Sequence, residues 1–169
     1  MAILPDVLRP GLRLVFCGTA AGAASALRGA YYAGPGNKFW RMLHETGLTP
    51  RRFAPESFQE VLAHGIGLTD LAKDVSGADA DLPPDAFDVV GFAARIRAVR
   101  PAIVAFNGKK AASVFLGVPT GRLSHGPAPV RPDFPLAWVL PSTSGLASRA
   151  WDPGAWHALA AQARDLPTP

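Results

Sequence analysis

The chain of 169 residues has a single cysteine, Cys17. One thiol makes neither an internal disulfide nor a four-cysteine iron–sulfur site. His44, His64, His125 and His157 are scattered, without the short spacings of metal-ligand sets. No apolar stretch reaches the ~20 residues that span a bilayer. Met1–Pro10 lacks the apolar segment and layout of a signal peptide. A cytoplasmic protein with neither metal nor organic cofactor is therefore expected. Charged residues are 18% of the chain. Apolar residues are 49%, enough to bury a core, so a disordered chain is excluded. No repeat occurs, and the 17 glycines and 17 prolines are dispersed as punctuation.

The length suits one domain over residues 1–169, with a core over about 11–164 and a short frayed tail at Asp165–Pro169. The 17 lysines and arginines against 13 aspartates and glutamates give a mild basic excess, compatible with a polyanionic partner. Leu12–Phe16, Ala102–Phe106 and Leu136–Leu140 are continuous apolar runs that meet turn signals at their C-terminal ends. Such runs suit parallel strands covered on both faces. Ile66–Leu71 is a weaker fourth. Helical patterns lie between them, over Asn37–Gly47, Glu56–Ala63, Asp85–Val99, Gly108–Leu116 and Pro153–Arg164. Val89, Phe92, Ile96 and Val99 form one apolar stripe, and Trp156, Leu159, Ala160 and Ala163 another. The alternation predicts an α/β fold, a three-layer α/β/α sandwich around a short, mainly parallel sheet. Ligands of such folds bind at the carboxyl ends of strands, where the informative segments lie.

Strand one runs into Cys17-Gly18-Thr19-Ala20-Ala21-Gly22-Ala23-Ala24-Ser25. Small residues over this length let backbone approach a ligand and offer it peptide N–H groups. Tyr31-Tyr32-Ala33-Gly34-Pro35-Gly36-Asn37-Lys38-Phe39-Trp40 follows. Tyr32, before the Gly-Pro-Gly turn, is a candidate to stack on a flipped base. Asn37 suits a helix cap, and Phe39 and Trp40 read as core.

The order of strand, Gly-x-x-x-Gly loop, aromatic and Pro-x-Asn-x-Phe-Trp resembles the mismatch-specific uracil/thymine-DNA glycosylases of the uracil-DNA glycosylase superfamily. That resemblance implies that the loop holds the base and the attacking water, that Tyr32 stacks on the base, and that Ser25 lies near the pocket. Gly18, Thr19, Ala20 and Ala21 become the base-binding loop. The family's loop usually reads Gly-Ile-Asn-Pro-Gly and its Asn positions the water. Here Ala20 stands at that position, and its side chain cannot hold water. Either another residue has taken over the task or the protein does not cleave.

Gly65–Lys73 is similar to a family strand lining the same pocket and carries Asp70 at its end. A carboxylate there can orient or deprotonate water, or stabilise a sugar cation. Some relatives carry an acid at this point. With Ala20 upstream, Asp70 is the expected catalytic residue, with Thr19 next; Thr69 is its polar neighbour, and Thr19 is expected across the pocket. Phe106-Asn107-Gly108-Lys109 resembles a thymine-DNA glycosylase segment. It places Asn107 at the pocket and Lys109 at a helix N-terminus suited to phosphate. In Pro141-Ser142-Thr143-Ser144-Gly145-Leu146-Ala147-Ser148-Arg149, the resemblance makes Leu146 the wedge that fills the gap left by a flipped nucleotide. Ser142, Ser144, Gly145 and Arg149 would contact the flanking DNA. The histidine that other classes carry in this loop is absent, and Trp151 reads as core rather than lid.

The expected activity is hydrolysis of the N-glycosidic bond of uracil in DNA, double- or single-stranded, by base flipping. No lysine nucleophile is evident, so a monofunctional enzyme leaving an abasic site is expected, and a monomer, since the DNA face needs open access. Three alternatives stay open: another preferred base such as hypoxanthine or thymine, a non-catalytic binder of damaged DNA, and a hydrolase of free nucleosides. The wedge loop disfavours the last.

Overall fold

The computed structural model of the chain describes residues 1–167; Thr168 and Pro169 of the expected tail lie outside the described residues. Five strands form one sheet: β1 (Leu14–Gly18), β2 (Ile66–Asp70), β3 (Ile103–Asn107), β4 (Gly126–Pro127) and β5 (Leu136–Leu140). Their order is β2-β1-β3-β5-β4. The first four are mutually parallel, and the two-residue β4 pairs antiparallel with β5 at the edge.

Side chains alternate across a strand, and the two faces of this sheet each bury one set. Leu14, Phe16, Ile103, Ala105, Trp138 and Leu140 point to one layer. There they meet α2 (Phe39–Glu45), α5 (Pro153–Arg164) and a 3-10 segment, Pro55–His64. Val15, Cys17, Val104, Phe106, Ala137 and Val139 point to the other, against α3 (Val89–Val99) and α4 (Lys109–Leu116). The three-layer α/β/α architecture follows from this alternation. Phe39 and Trp40 are core, as expected, and the α5 stripe is buried throughout.

Several sequence-based boundaries are corrected. β1 and β3 begin later than the apolar runs and extend to Gly18 and Asn107, because the ladder continues past the last apolar residue. The 55–64 segment is 3-10 with a kink at Ser57 rather than α-helix. The helix expected from Asp85 starts at Val89. Asp88 caps it by accepting the Gly91 N–H, while Pro83 and Pro84 confine residues 84–86 to a separate 3-10 turn. Val89 is therefore half-buried, and Phe92, Ile96 and Val99 carry the stripe. The small-residue loop is interrupted by α1 (Ala23–Arg28), closed by Gly29 in left-handed conformation. The loop after β5 contains a 3-10 segment, Gly145–Ala150. Trp151 is half-buried against the core with Lys38 over its ring.

The register decides where chemistry gathers. Gly18 pairs with Asp70 across β1–β2, Cys17 with Phe106 across β1–β3, and Asn107 with Leu140 across β3–β5. Four parallel strands thus end level with one another. Their loops converge at the crevice between β2-β1 and β3-β5, where connections leave in opposite directions.

Candidate active site

A cleft of about 1170 Å³ opens at these strand ends. It is lined by Gly18, Thr19, Ala20, Ala21, Ser25, Tyr32, Asp70, Asn107, Lys109, Ser142, Ser144, Gly145 and Leu146. Arg149 is exposed outside the lining. Residues spread over 128 positions of sequence are thus brought to one cavity, because each directly follows or ends a strand or belongs to the loop leaving it.

The first loop is held by its carbonyls. Leu71 N–H donates to the Gly18 carbonyl at 3.0 Å and Ala72 N–H to the Thr19 carbonyl at 2.7 Å. All peptides among the described residues are trans. Within each plane the N–H therefore points opposite to the C=O, so the Thr19 and Ala20 N–H groups are turned away from residues 71–72. Gly18 sits between two functional side chains. A Cβ there would lie 2.7 Å from Asp70 Oδ1 and 3.2 Å from Tyr32 Oη. Glycine is what allows carboxylate and phenol to approach the same backbone atom.

Asp70 is 3% exposed. Burial raises its carboxyl most; Lys73 and Arg95 oppose the rise and Asp6 adds to it, leaving it at about 7 rather than 3.8. A carboxyl that exchanges its proton near neutrality in a cleft suits general base work. Its carboxylate faces Gly18; its backbone carbonyl accepts from Arg95 at 3.1 Å.

Tyr32 adopts φ 53°, in the left-handed region that a bulky residue enters only under constraint. The ring is stacked on Phe39, with centroids 4.0 Å apart. One face is thus backed by the core while the residue lines the cleft. Its hydroxyl is buried and, among the described residues, has no partner in full hydrogen-bond geometry, the Asn107 amide that favours its ionised form being committed to Thr143. Burial first, then Asp70, pushes the phenol up, with Asn107 opposing, so it stays protonated. An unpartnered buried hydroxyl in a cleft marks a place for a polar ligand atom or water.

Other expected ligand-binding groups are engaged with the protein itself. Ser25 Oγ accepts from Ala33 N–H at 3.0 Å, fixing the segment that presents Tyr32. Asn107 Oδ1 accepts from Thr143 N–H at 3.0 Å, and its Nδ2 donates to Thr143 Oγ1 at 2.9 Å. Both ends of this amide anchor the loop after β5. Ser142 Oγ accepts from Ser144 N–H, and Ser144 Oγ from Leu146 N–H. Leu146 itself is 87% exposed. Gly108, at φ 112°, turns β3 into α4 so closely that a Cβ would lie 3.2 Å from Ser142 Cβ. The Lys38 N–H donates to the Thr143 carbonyl at 2.9 Å, joining the Gly-Pro-Gly turn to the same loop.

Thr69 turns away from the cleft and donates to Asp6 at 2.7 Å. Thr19 donates to Asp79 Oδ1 at 2.6 Å. Asp79 lies in a short 3-10 turn, Asp79–Asp81, which also lines the cleft. Sequence reasoning missed this turn, for its acidic and small residues have no periodicity. It also missed His125, which lines the cleft beside Lys109. Burial and then Lys109 favour the neutral imidazole of His125, with Asp152 opposing. A lone histidine carried no spacing signal. No group of three or more metal-ligating side chains occurs among the described residues.

At the ends of a parallel α/β sheet, the cleft thus combines an aromatic ring backed by the core, a buried carboxylate and an exposed apolar loop. The family model of the uracil DNA glycosylase superfamily matches residues 5–162. The chain belongs to that superfamily and is a DNA glycosylase. The fold is similar to the solution NMR structure of a candidate uracil DNA glycosylase from Methanosarcina acetivorans, at TM-score 0.65 and 23% identity. That match covers 95% of this chain and 96% of the other.

Proposed function

We propose that the protein excises uracil from DNA as a monofunctional, monomeric glycosylase, with Asp70 as the base that activates water. The reading is carried by the buried carboxylate of Asp70 at the end of β2, level with Gly18 and facing the cleft that Tyr32 lines. Ala20 offers no side-chain group to hold water, and the Thr19 hydroxyl is committed to Asp79. Asp79 and Asp81 also line the cleft but are exposed, and Asp79 accepts from Thr19; Asp70 is the buried carboxylate there and the one suited to the work.

In the reaction, the nucleotide is extruded and Leu146 occupies its place in the stack. The base slides against Tyr32, and its oxygens accept from the Thr19 and Ala20 N–H groups. The bond between sugar C1′ and the base nitrogen breaks, and the electron pair leaves with the base, whose developing negative charge those N–H groups stabilise. A water oxygen bonds to C1′ while its proton passes to Asp70. The base anion then takes up a proton and Asp70 gives up the one it gained, leaving free base, an abasic site and the starting carboxylate.

The test is single-turnover base release from oligonucleotides carrying U·G, U·A, single-stranded U, T·G or hypoxanthine. Free uracil and alkali-labile strands from the U substrates are expected. Release of hypoxanthine or thymine alone would move the assignment to that base. Tight binding without release of any base would replace it with a non-catalytic damage binder.

A further inference from the structure

Behind Asp70, on the side away from the cleft, lies a cluster of charges that the cleavage chemistry does not touch. Asp6 comes from the N-terminal segment. That segment is tied to the sheet by Val7, which exchanges two 2.9 Å backbone hydrogen bonds with Leu68, and by Ile3 N–H to the Lys73 carbonyl at 2.7 Å. Asp6 Oδ1 lies 2.8 Å from Lys73 Nζ and accepts from Thr69 Oγ1 at 2.7 Å; Oδ2 lies 2.9 Å from Arg95 Nε. Arg95 in turn donates to Thr69 Oγ1 at 3.3 Å and to the Asp70 backbone carbonyl at 3.1 Å. One half-buried carboxylate, 63 positions from Thr69 in sequence, thus organises both cations next to Asp70.

We propose that Asp6 is a positioning residue for Asp70: it takes up the charge of Lys73 and Arg95 and so leaves the catalytic carboxylate able to accept a proton at neutral pH. The inference rests on Asp70 being the base. The other titratable groups around Asp70 are Cys17 from β1 and Tyr31 and Tyr32 from the segment after α1. Burial keeps all three protonated, so they carry no charge here. Asp6, Lys73 and Arg95 are the charges that remain. Two cations against one Asp6 leave Asp70 a single excess positive charge; without Asp6 it faces two, and its carboxylate becomes a weaker base.

Opposite substitutions should move the acid limb of the pH–rate profile in opposite directions. In single-turnover base release, Asp6→Asn is expected to shift the limb to lower pH by about one unit. Lys73→Gln, which removes a cation, is expected to shift it to higher pH. General loosening of the site would not give shifts of opposite sign. If Asp6→Asn does not fold, Asp6→Ser, which also removes the charge, is read in its place with the same expected shift to lower pH. Unmoved limbs, or shifts in the same direction, overturn the role of Asp6. Asp70→Asn, run alongside, separates the two claims. Wild-type release by that variant removes the base itself, whereas an inactive Asp70→Asn with unmoved limbs removes only Asp6.

Discussion

At the scale of single residues, small side chains in the cleft make room for two large polar ones. Gly18 lets Asp70 and Tyr32 meet over one Cα, and Ala20 nearby carries no polar side-chain group. Burial of Asp70 costs stability wherever its carboxyl is ionised. The unfolded carboxyl loses its proton near 3.8 and the folded one near 7. Between those values the folded state holds the extra proton, so stability falls as pH rises through that window, and the deficit is complete above it. Asp70→Asn removes the deficit. It is expected to raise stability on the order of 2–4 kcal/mol at pH 8 and less at pH 5. Thermal melts at the two pH values check this; an equal gain at both would mean that ionisation of Asp70 costs nothing.

At the scale of elements, the loop from Pro141 to Ala150 is a stiff structure rather than a flexible finger. Asn107 clamps Thr143, Ser144 caps the 3-10 segment, and the Gly-Pro-Gly turn abuts Gly145. Asn107→Ala is expected to cost about 1–3 kcal/mol and to expose this loop to proteolysis before the rest of the chain. Leu146 is already in water, so Leu146→Ala should leave the melting temperature unchanged. It should slow base release from duplex about tenfold while sparing single strands; equal slowing of both would argue against a wedge. Elements with long-range apolar signals were legible in the sequence: β1, β3 and β5 as continuous runs, β2 as a weaker one, α5 and most of α3 as stripes; the two-residue β4, Gly126–Pro127, carried no such signal. α1 was not, because Ala23–Arg28 has no apolar stripe to bury and Leu27 lies 90% exposed. The 79–81 turn was illegible for a related reason. Its place over the cleft comes from a hydrogen bond to Thr19, 60 residues away.

At the scale of the whole molecule, four strand-end segments in family order made fold and superfamily readable, since register brings any such set to one edge of the sheet. The division of labour within the site was less readable. Ser25, Asn107, Ser142 and Ser144 have the chemistry of ligand-binding groups, yet each is hydrogen-bonded within the protein, and such pairings depend on the packed fold. Asp6 was invisible for the same reason. The net charge of +4 is unevenly placed, with Lys109 and Lys110 on the cleft and Asp79 and Asp81 opposing them. Affinity for DNA should fall with salt, and Lys109→Gln should lower the slope of log affinity against log salt by about one. An unchanged slope would place the phosphates elsewhere. The most direct test of the mechanism is single-turnover uracil release from a U·G duplex by Asp70→Asn, with binding measured on the same DNA. The expected result is a loss of about a hundredfold or more at unchanged affinity. Release at the wild-type rate would contradict the assignment of Asp70 as the base.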